Sequence, residues 1–136
     1  MPAGYSGTPL ARKLGLKPGF RIFADNAPPH YRDLLGPLPA DVTLVEKVEA
    51  NLDMIHLFTD SAKELTAKVK RYIKKIKPAG MIWVSWPKKA SKVPTDITED
   101  VIRAIALTTV LVDVKVCAVD HVWSGLKLVI RVSERG

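Results

Sequence analysis

"GMIWVSW", residues 80–86, is the stretch that decides the fold. Read as a strand, it sends Met81 and Trp83 to one side and Ile82, Val84 and Trp86 to the other, so both faces are apolar. Such a strand needs cover above and below, which a parallel sheet clad in helices supplies. Upstream, Leu65, Val69, Tyr72, Ile73 and Ile76 recur at helical spacing between Ser61 and Lys77. Lys63, Lys68, Lys70, Arg71, Lys74 and Lys75 take the remaining positions, so one side of this helix packs and the other is basic. "KPAG" (77–80) is read as its stop, because Pro78 cannot continue the hydrogen-bond ladder. Downstream, "PKKASKVP" (87–94) leads to a helix start at Asp96 or Thr98. Asp96 with Glu99 resembles a capping box, Ile97 is placed to staple onto Ile102, and Val101, Ile102 and Ile105 form the inner face.

The rest of the chain extends this alternation. "FRIFAD" (20–25), "VTLVEKV" (42–48) and "DMIHLF" (53–58) are short apolar runs with polar bounds, read as strands. "TPLARKLG" (8–15) reads as a short helix with Thr8 as N-cap, Pro9 in its first turn and Gly15 as its end. "NAPPHYRDLLG" (26–36) reads as another, from Asn26 to Gly36. "VDVKVCAVD" (112–120) and "KLVIRV" (127–132), joined by "HVWSG" (121–125), read as a closing hairpin. The pattern predicts one α/β domain over residues 1–136, a three-layer sandwich with a mostly parallel sheet and an antiparallel C-terminal hairpin. Residues 1–7, with two glycines and a serine, are expected to be a mobile arm.

Composition agrees with a packed domain: among 136 residues, 47% are hydrophobic and 26% charged, which is incompatible with disorder. The apolar-rich run "AIALTTVLV" (104–112) falls well short of the ~20 residues a spanning helix needs. The opening "MPAGYSGTPLARK" lacks the apolar centre of a secretory signal. A cytoplasmic protein with no membrane partner is therefore expected. Cys117 is the sole cysteine, so no intramolecular disulfide or cysteine-based zinc site can form; its place in a strand-like run suits a core residue. His30, His56 and His121 lie far apart without metal-ligand spacing, and no metal is expected. His56, alternating with Ile55 and Leu57, reads as an interior histidine, His30 as a surface helix residue and His121 as a turn residue. Asp120, His121 and Ser124 are the residue types of an acyl-transfer triad, but three residues crowded within five positions of a hairpin rarely achieve its relay geometry.

A formal charge of +7, from 21 Lys and Arg against 14 Asp and Glu, favours anionic partners. In open α/β sheets ligands bind beyond the carboxyl ends of the strands. On these assignments that edge carries Asp25 and Asn26, Thr59 and Asp60, the loop from Trp86, and Asp120 with His121. Asp25, Asn26, Asp120 and His121 are expected to share a crevice. Trp86, Lys88, Lys89, Ser91 and Lys92 form the candidate anion site, because lysines beside a helix N-terminus suit phosphate or carboxylate. A lysine-rich loop is also a common solvated turn, and Asp96 as a cap of the next helix opposes an anion there. The helix at 63–77 is a candidate track for a nucleic-acid backbone, although a solvated basic face has the same composition.

The order of "DMIHLF", basic helix, "IKPAGMIWVSW", helix, "VDVKVCAVD" and "LKLVIRV" resembles the second half of class I methyltransferases, over residues 53–132. The resemblance implies a reduced Rossmann-like, methyltransferase-like fold and S-adenosylmethionine bound on a glycine-rich turn after the first strand. Here that turn lies within "FRIFADNAPPHYRDLLG", which has no glycine between Phe20 and Leu35, and Pro28 and Pro29 each lack a backbone donor. An acid after the second strand is implied to hold the ribose, with Glu46 and Glu49 as candidates. Over its whole length the chain is also similar to a family of small bacterial proteins of uncharacterised function, through "AGYSGTPLARKLG", "WVSWPKKASKVPTDITED" and "VDVKVCAVDHVWSGLKLVIR". The expected function is a non-enzymatic binding or regulatory module for an anionic small molecule at residues 86–96, with no cofactor. The alternatives are a transferase with an altered S-adenosylmethionine turn, using Asp25, Asp120 or His121, and a nucleic-acid-associated protein using the 63–77 helix.

Overall fold

A computed structural model describes residues 8–136; the arm expected at residues 1–7 lies outside them. Six strands, β1 (Arg21–Asp25), β2 (Thr43–Val45), β3 (Leu52–Phe58), β4 (Ile76–Pro87), β5 (Leu111–Ala118) and β6 (Trp123–Ile130), form one sheet. The helices are α1 (Leu10–Leu14), α2 (Tyr31–Leu35), α3 (Ala62–Tyr72) and α4 (Glu99–Leu107). The strand order is β2-β1-β3-β4-β6-β5. The first four strands pair in parallel, whereas β6 runs antiparallel to β4 on one side and to β5 on the other. The mostly parallel α/β sandwich with a C-terminal antiparallel hairpin is the architecture the alternating pattern calls for.

The two faces of β4 are filled as its sequence demands. Met81 and Trp83 pack with Leu10, Leu14, Tyr31 and Leu35 of α1 and α2. Ile82, Val84 and Trp86 pack with Leu65, Val69 and Tyr72 of α3 and Ile102 and Ala106 of α4. Trp83 is fully buried and its indole Nε1 donates to Leu14 O at 3.0 Å, satisfying its one polar atom and anchoring the end of α1.

Three local boundaries differ from the sequence expectation. Helix α3 ends at Tyr72 and passes through a 3-10 turn, Ile73–Lys75, into β4 at Ile76, so "KPAG" lies inside the strand. The register explains how Pro78 fits there: Leu52 pairs with Ile76 and Met54 with Met81, so β4 bulges outward between them and residues 77–79 are exposed. Gly80 closes that bulge, and a Cβ there would meet Lys77 O at 3.0 Å and Asp53 O at 3.1 Å. Second, α1 has Pro9 rather than Thr8 at its N-cap position. Third, β6 begins at Trp123, four residues before the expected Lys127, and the hairpin turn is tightened by Asp120, whose Oδ1 accepts from Val122 N and Trp123 N, each at 2.8 Å. Among the described residues no helix is long and apolar enough to cross a membrane.

Candidate functional site

The carboxyl edge of the sheet is divided by the sheet itself. Phe23 and Asp25 alternate with Ile22 and Ala24, so Asp25 faces α3, where its Oδ2 accepts from Tyr72 Oη at 2.5 Å and from Lys68 Nζ at 3.0 Å. Burial and the bond to Asp25 both raise the Tyr72 phenol above its ordinary range. Asp120 is buried on the opposite side, next to α2, and its Oδ2 lies 3.1 Å from His30 Nε2. Asp25 and Asp120 are therefore separated by the sheet. Asn26, held in the left-handed region at φ 59°, donates from Nδ2 to Phe58 O at 3.3 Å, linking the ends of β1 and β3. His121 is exposed in the hairpin turn. Of the four residues expected in one crevice, the structure brings none together as a catalytic group; the close pair is Asp120 with His30.

The cofactor turn implied by the methyltransferase resemblance has a specific outcome. Asn26 bridges the gap between two strand ends, and Pro28 and Pro29 follow with no amide protons. Asp25 is engaged by Tyr72 and Lys68. These residues do not fit S-adenosylmethionine as a glycine-rich amide cradle would. Glu46 follows β2 at the carboxyl edge, whereas Glu49 pairs with Arg21 at 2.9 Å where β1 begins, at the opposite edge. Glu49 thus lies away from the edge at which a ribose ligand is expected.

On the α3/α4 side, a groove of about 390 Å³ opens between the end of β4 and the start of α4. Trp86, Pro87, Val93, Pro94 and Ile97 give it an apolar wall, and Lys89 and Lys92 stand at its margin with Thr98 and Glu99. The loop is a built structure: Lys88 N donates to Val122 O at 2.7 Å, a 3-10 turn spans Lys89–Ser91, and Lys92 adopts φ 61°. Ser91 Oγ donates to Lys88 O at 2.7 Å and accepts from Val93 N at 3.2 Å, so this hydroxyl holds the loop. Lys88 and Ser91 lie outside the groove lining, while Trp86, Lys89 and Lys92 belong to it.

Glu99 is the carboxylate in the groove lining, Asp96 lies in sequence between the lining residues Thr95 and Ile97, and each is engaged elsewhere. Thr98 caps α4, its Oγ1 accepting from Val101 N at 3.2 Å, which frees Asp96 from that role. Asp96 Oδ1 instead accepts from Ala62 N at 2.8 Å, at the start of α3. Glu99 is bound by Arg103, which also meets Asp100 and Asp113; Glu99 and Asp113 raise the Arg103 guanidinium further above its usual value. Among the described residues no carboxylate pairs with Lys88, Lys89 or Lys92.

A third constellation lies in the interior. His56, fully buried on β3, has Tyr31 Oη 2.8 Å from Nδ1 and Ser85 Oγ 2.7 Å from Nε2, and it stacks on Phe58 at 4.2 Å. Burial drives its pKa from 6.5 to about 3 and raises that of Tyr31. Both hydroxyls can donate or accept, so the neutral ring is satisfied in either tautomer. With Ser85 and His56 sealed from solvent, this chain holds the core together and has no access to substrate. His30 is the residue whose partner the sequence conceals, since it lies 90 positions from Asp120.

No protein-family model and no curated protein matches the chain. Its fold is that of solved Rossmann-type structures. One, described as a candidate type 11 methyltransferase from Sulfolobus solfataricus, aligns with TM-score 0.52 at 15% identity, over 84% of this chain and 86% of that one. Another, a protein of the NADB-Rossmann superfamily from Streptococcus agalactiae, aligns with TM-score 0.52 at 10% identity, over 94% of this chain and 70% of that one. These likenesses show a methyltransferase-like, Rossmann-type α/β fold and extend no further than the fold.

Proposed function

We propose that the protein is a binding module for a small organic anion with an apolar body, seated in the groove between β4 and α4. The carrying observation is the combination of an apolar wall with two unpaired ammonium groups, Lys89 and Lys92, beside carboxylates already engaged by Ala62 N and Arg103. An apolar ligand body gains from burial against Trp86, Val93, Pro94 and Ile97, while its phosphate or carboxylate lies by the lysines. Thermal unfolding with a panel of nucleotides, phosphorylated metabolites and aromatic carboxylates tests the reading. A ligand at ~100 times its Kd adds about 2.7 kcal/mol, a rise of several degrees. That rise should vanish in Lys89→Ala/Lys92→Ala with the unliganded Tm unchanged. A panel that moves nothing, or a rise surviving in the double variant, refutes the groove as the site.

A transferase is the second reading, supported by the fold and by one local arrangement. Asp120, fixed by two backbone N–H groups, contacts Nε2 of the half-exposed His30 and so orients its ring. That is how a carboxylate positions an imidazole to take a proton at its other nitrogen, here Nδ1. If this pair works on a substrate, Asp120→Asn should abolish turnover while leaving substrate binding in place. Turnover equal to that of the wild type removes the pair from any mechanism.

A further inference from the structure

On the α1/α2 side of the sheet, β5 and β6 carry a second concentration of positive charge, remote from the groove. Lys115 and Lys127 are direct cross-strand partners, and Trp83, beneath the end of α1, is the partner of Lys127 on its other flank. Directly opposed like charges destabilise a strand pair. No carboxylate relieves this one, because among the described residues none pairs with Lys17, Lys115 or Lys127. Lys17, just past α1, is close enough to act on Lys127, whose ammonium is lowered by burial first and then by Lys115 and Lys17. Lys13 reaches the same area, donating from Nζ to Ala118 O at 3.2 Å. The flanking positions along the two strands, the Val112–Val129 pair on one side and the Cys117–Gly125 pair on the other, are partly or fully buried and carry no acid.

A sheet that places two lysines face to face, half-buries one and leaves them without counter-charge sacrifices stability, and such a sacrifice is expected where a ligand restores it. The convergence of charge selects the ligand. Cross-strand side chains start about 5 Å apart, so both ammonium groups can close on one compact anion carrying several charges. An extended phosphodiester backbone would need cations along a track, whereas here Lys115 and Lys17 both act on the one ammonium of Lys127.

We propose that Lys17, Lys115 and Lys127, with Lys13 at the rim, form a clasp on the β5–β6 face for a compact diphosphate group, supplied as free pyrophosphate or by a nucleoside diphosphate. This clasp is independent of the groove at residues 86–96. Isothermal titration calorimetry of the whole chain with inorganic pyrophosphate, with a nucleoside diphosphate and with a short oligonucleotide tests it. Pyrophosphate should bind, more weakly as salt rises. Lys115→Gln and Lys127→Met should each weaken it about tenfold, the scale of one charge-assisted contact. Lys89→Ala/Lys92→Ala should leave it unchanged. The unliganded Tm of Lys115→Gln and Lys127→Met should equal or exceed that of the wild type, because each removes a repulsion. Tighter binding of the nucleoside diphosphate than of pyrophosphate supports the clasp and names the nucleotide as the source. Absence of pyrophosphate binding, binding indifferent to both lysine variants, or binding confined to the oligonucleotide overturns it.

Discussion

His56 shows how a single residue can be legible in character and hidden in its partners. Its place between Ile55 and Leu57 in a strand marks it as interior. Tyr31 and Ser85, however, lie 25 and 29 positions away, and no local pattern announces that all three meet. The consequence is a pH dependence whose sign is fixed. The folded state holds His56 neutral with a pKa near 3, while the unfolded chain takes up a proton near 6.5. Below pH 6.5 the unfolded state binds more protons, so stability is full above that value and declines as pH falls toward 3. Between pH 7 and pH 5 this group alone should remove about 2 kcal/mol. Urea unfolding at the two pH values measures it, and His56→Gln should flatten that part of the decline while lowering stability at pH 7. A wild-type decline undiminished in the variant would assign it to other groups. Asp120 and His30 repeat the lesson, since both were visible as polar residues but their pairing depends on the hairpin returning beside α2.

At the scale of elements, apolar periodicity made the strands and long helices readable because burial is what their patterns encode. Boundaries were less readable where two local choices compete. Asp96 and Thr98 both suit a cap by composition, and the choice falls to Thr98 because α3 lies close enough for Asp96 to meet Ala62 N. Each residue thus serves a different helix. Thr98→Ala should cost about 1 kcal/mol through the lost cap of α4. Asp96→Ala should cost about 0.3–1 kcal/mol through the N-terminus of α3. Denaturant midpoints of the two single variants and the double measure this, and near-additivity is expected because the two bonds share no atom. An Asp96→Ala variant as stable as the wild type would mean that Ser61, which already caps α3 through Glu64 N, suffices alone. The groove was half-legible for the same reason. Its lysines and Trp86 stand in the sequence, but the release of Asp96 and the capture of Ser91 by Lys88 O appear only once the loop has folded.

For the whole molecule, charge is the property that composition states and the fold distributes. The excess of +7 is a bulk number, and it gives no hint that Lys115 and Lys127 face each other across two strands. That placement depends on β6 entering the sheet between β4 and β5, which puts the final strand next to the central one and leaves β5 at the edge. Salt should therefore act on stability with a definite sign. A compact chain of this length has a radius of gyration of about 14 Å. At ~10 mM salt the Debye length, about 30 Å, lets every charge in such a body act on every other, whereas at ~150 mM it is about 8 Å and only neighbours interact. Screening weakens the ion pairs on the surface too, but exposed pairs contribute little, at most about 1 kcal/mol each. Net repulsion dominates, and the Tm should rise as salt increases over this range. Lys127→Met removes one charge from the most crowded cluster, so its Tm should start higher at low salt and rise less. A Tm that falls with salt, with Lys127→Met responding as the wild type does, would mean that the ion pairs of Arg103, Lys68 and Lys77 outweigh the lysine repulsion.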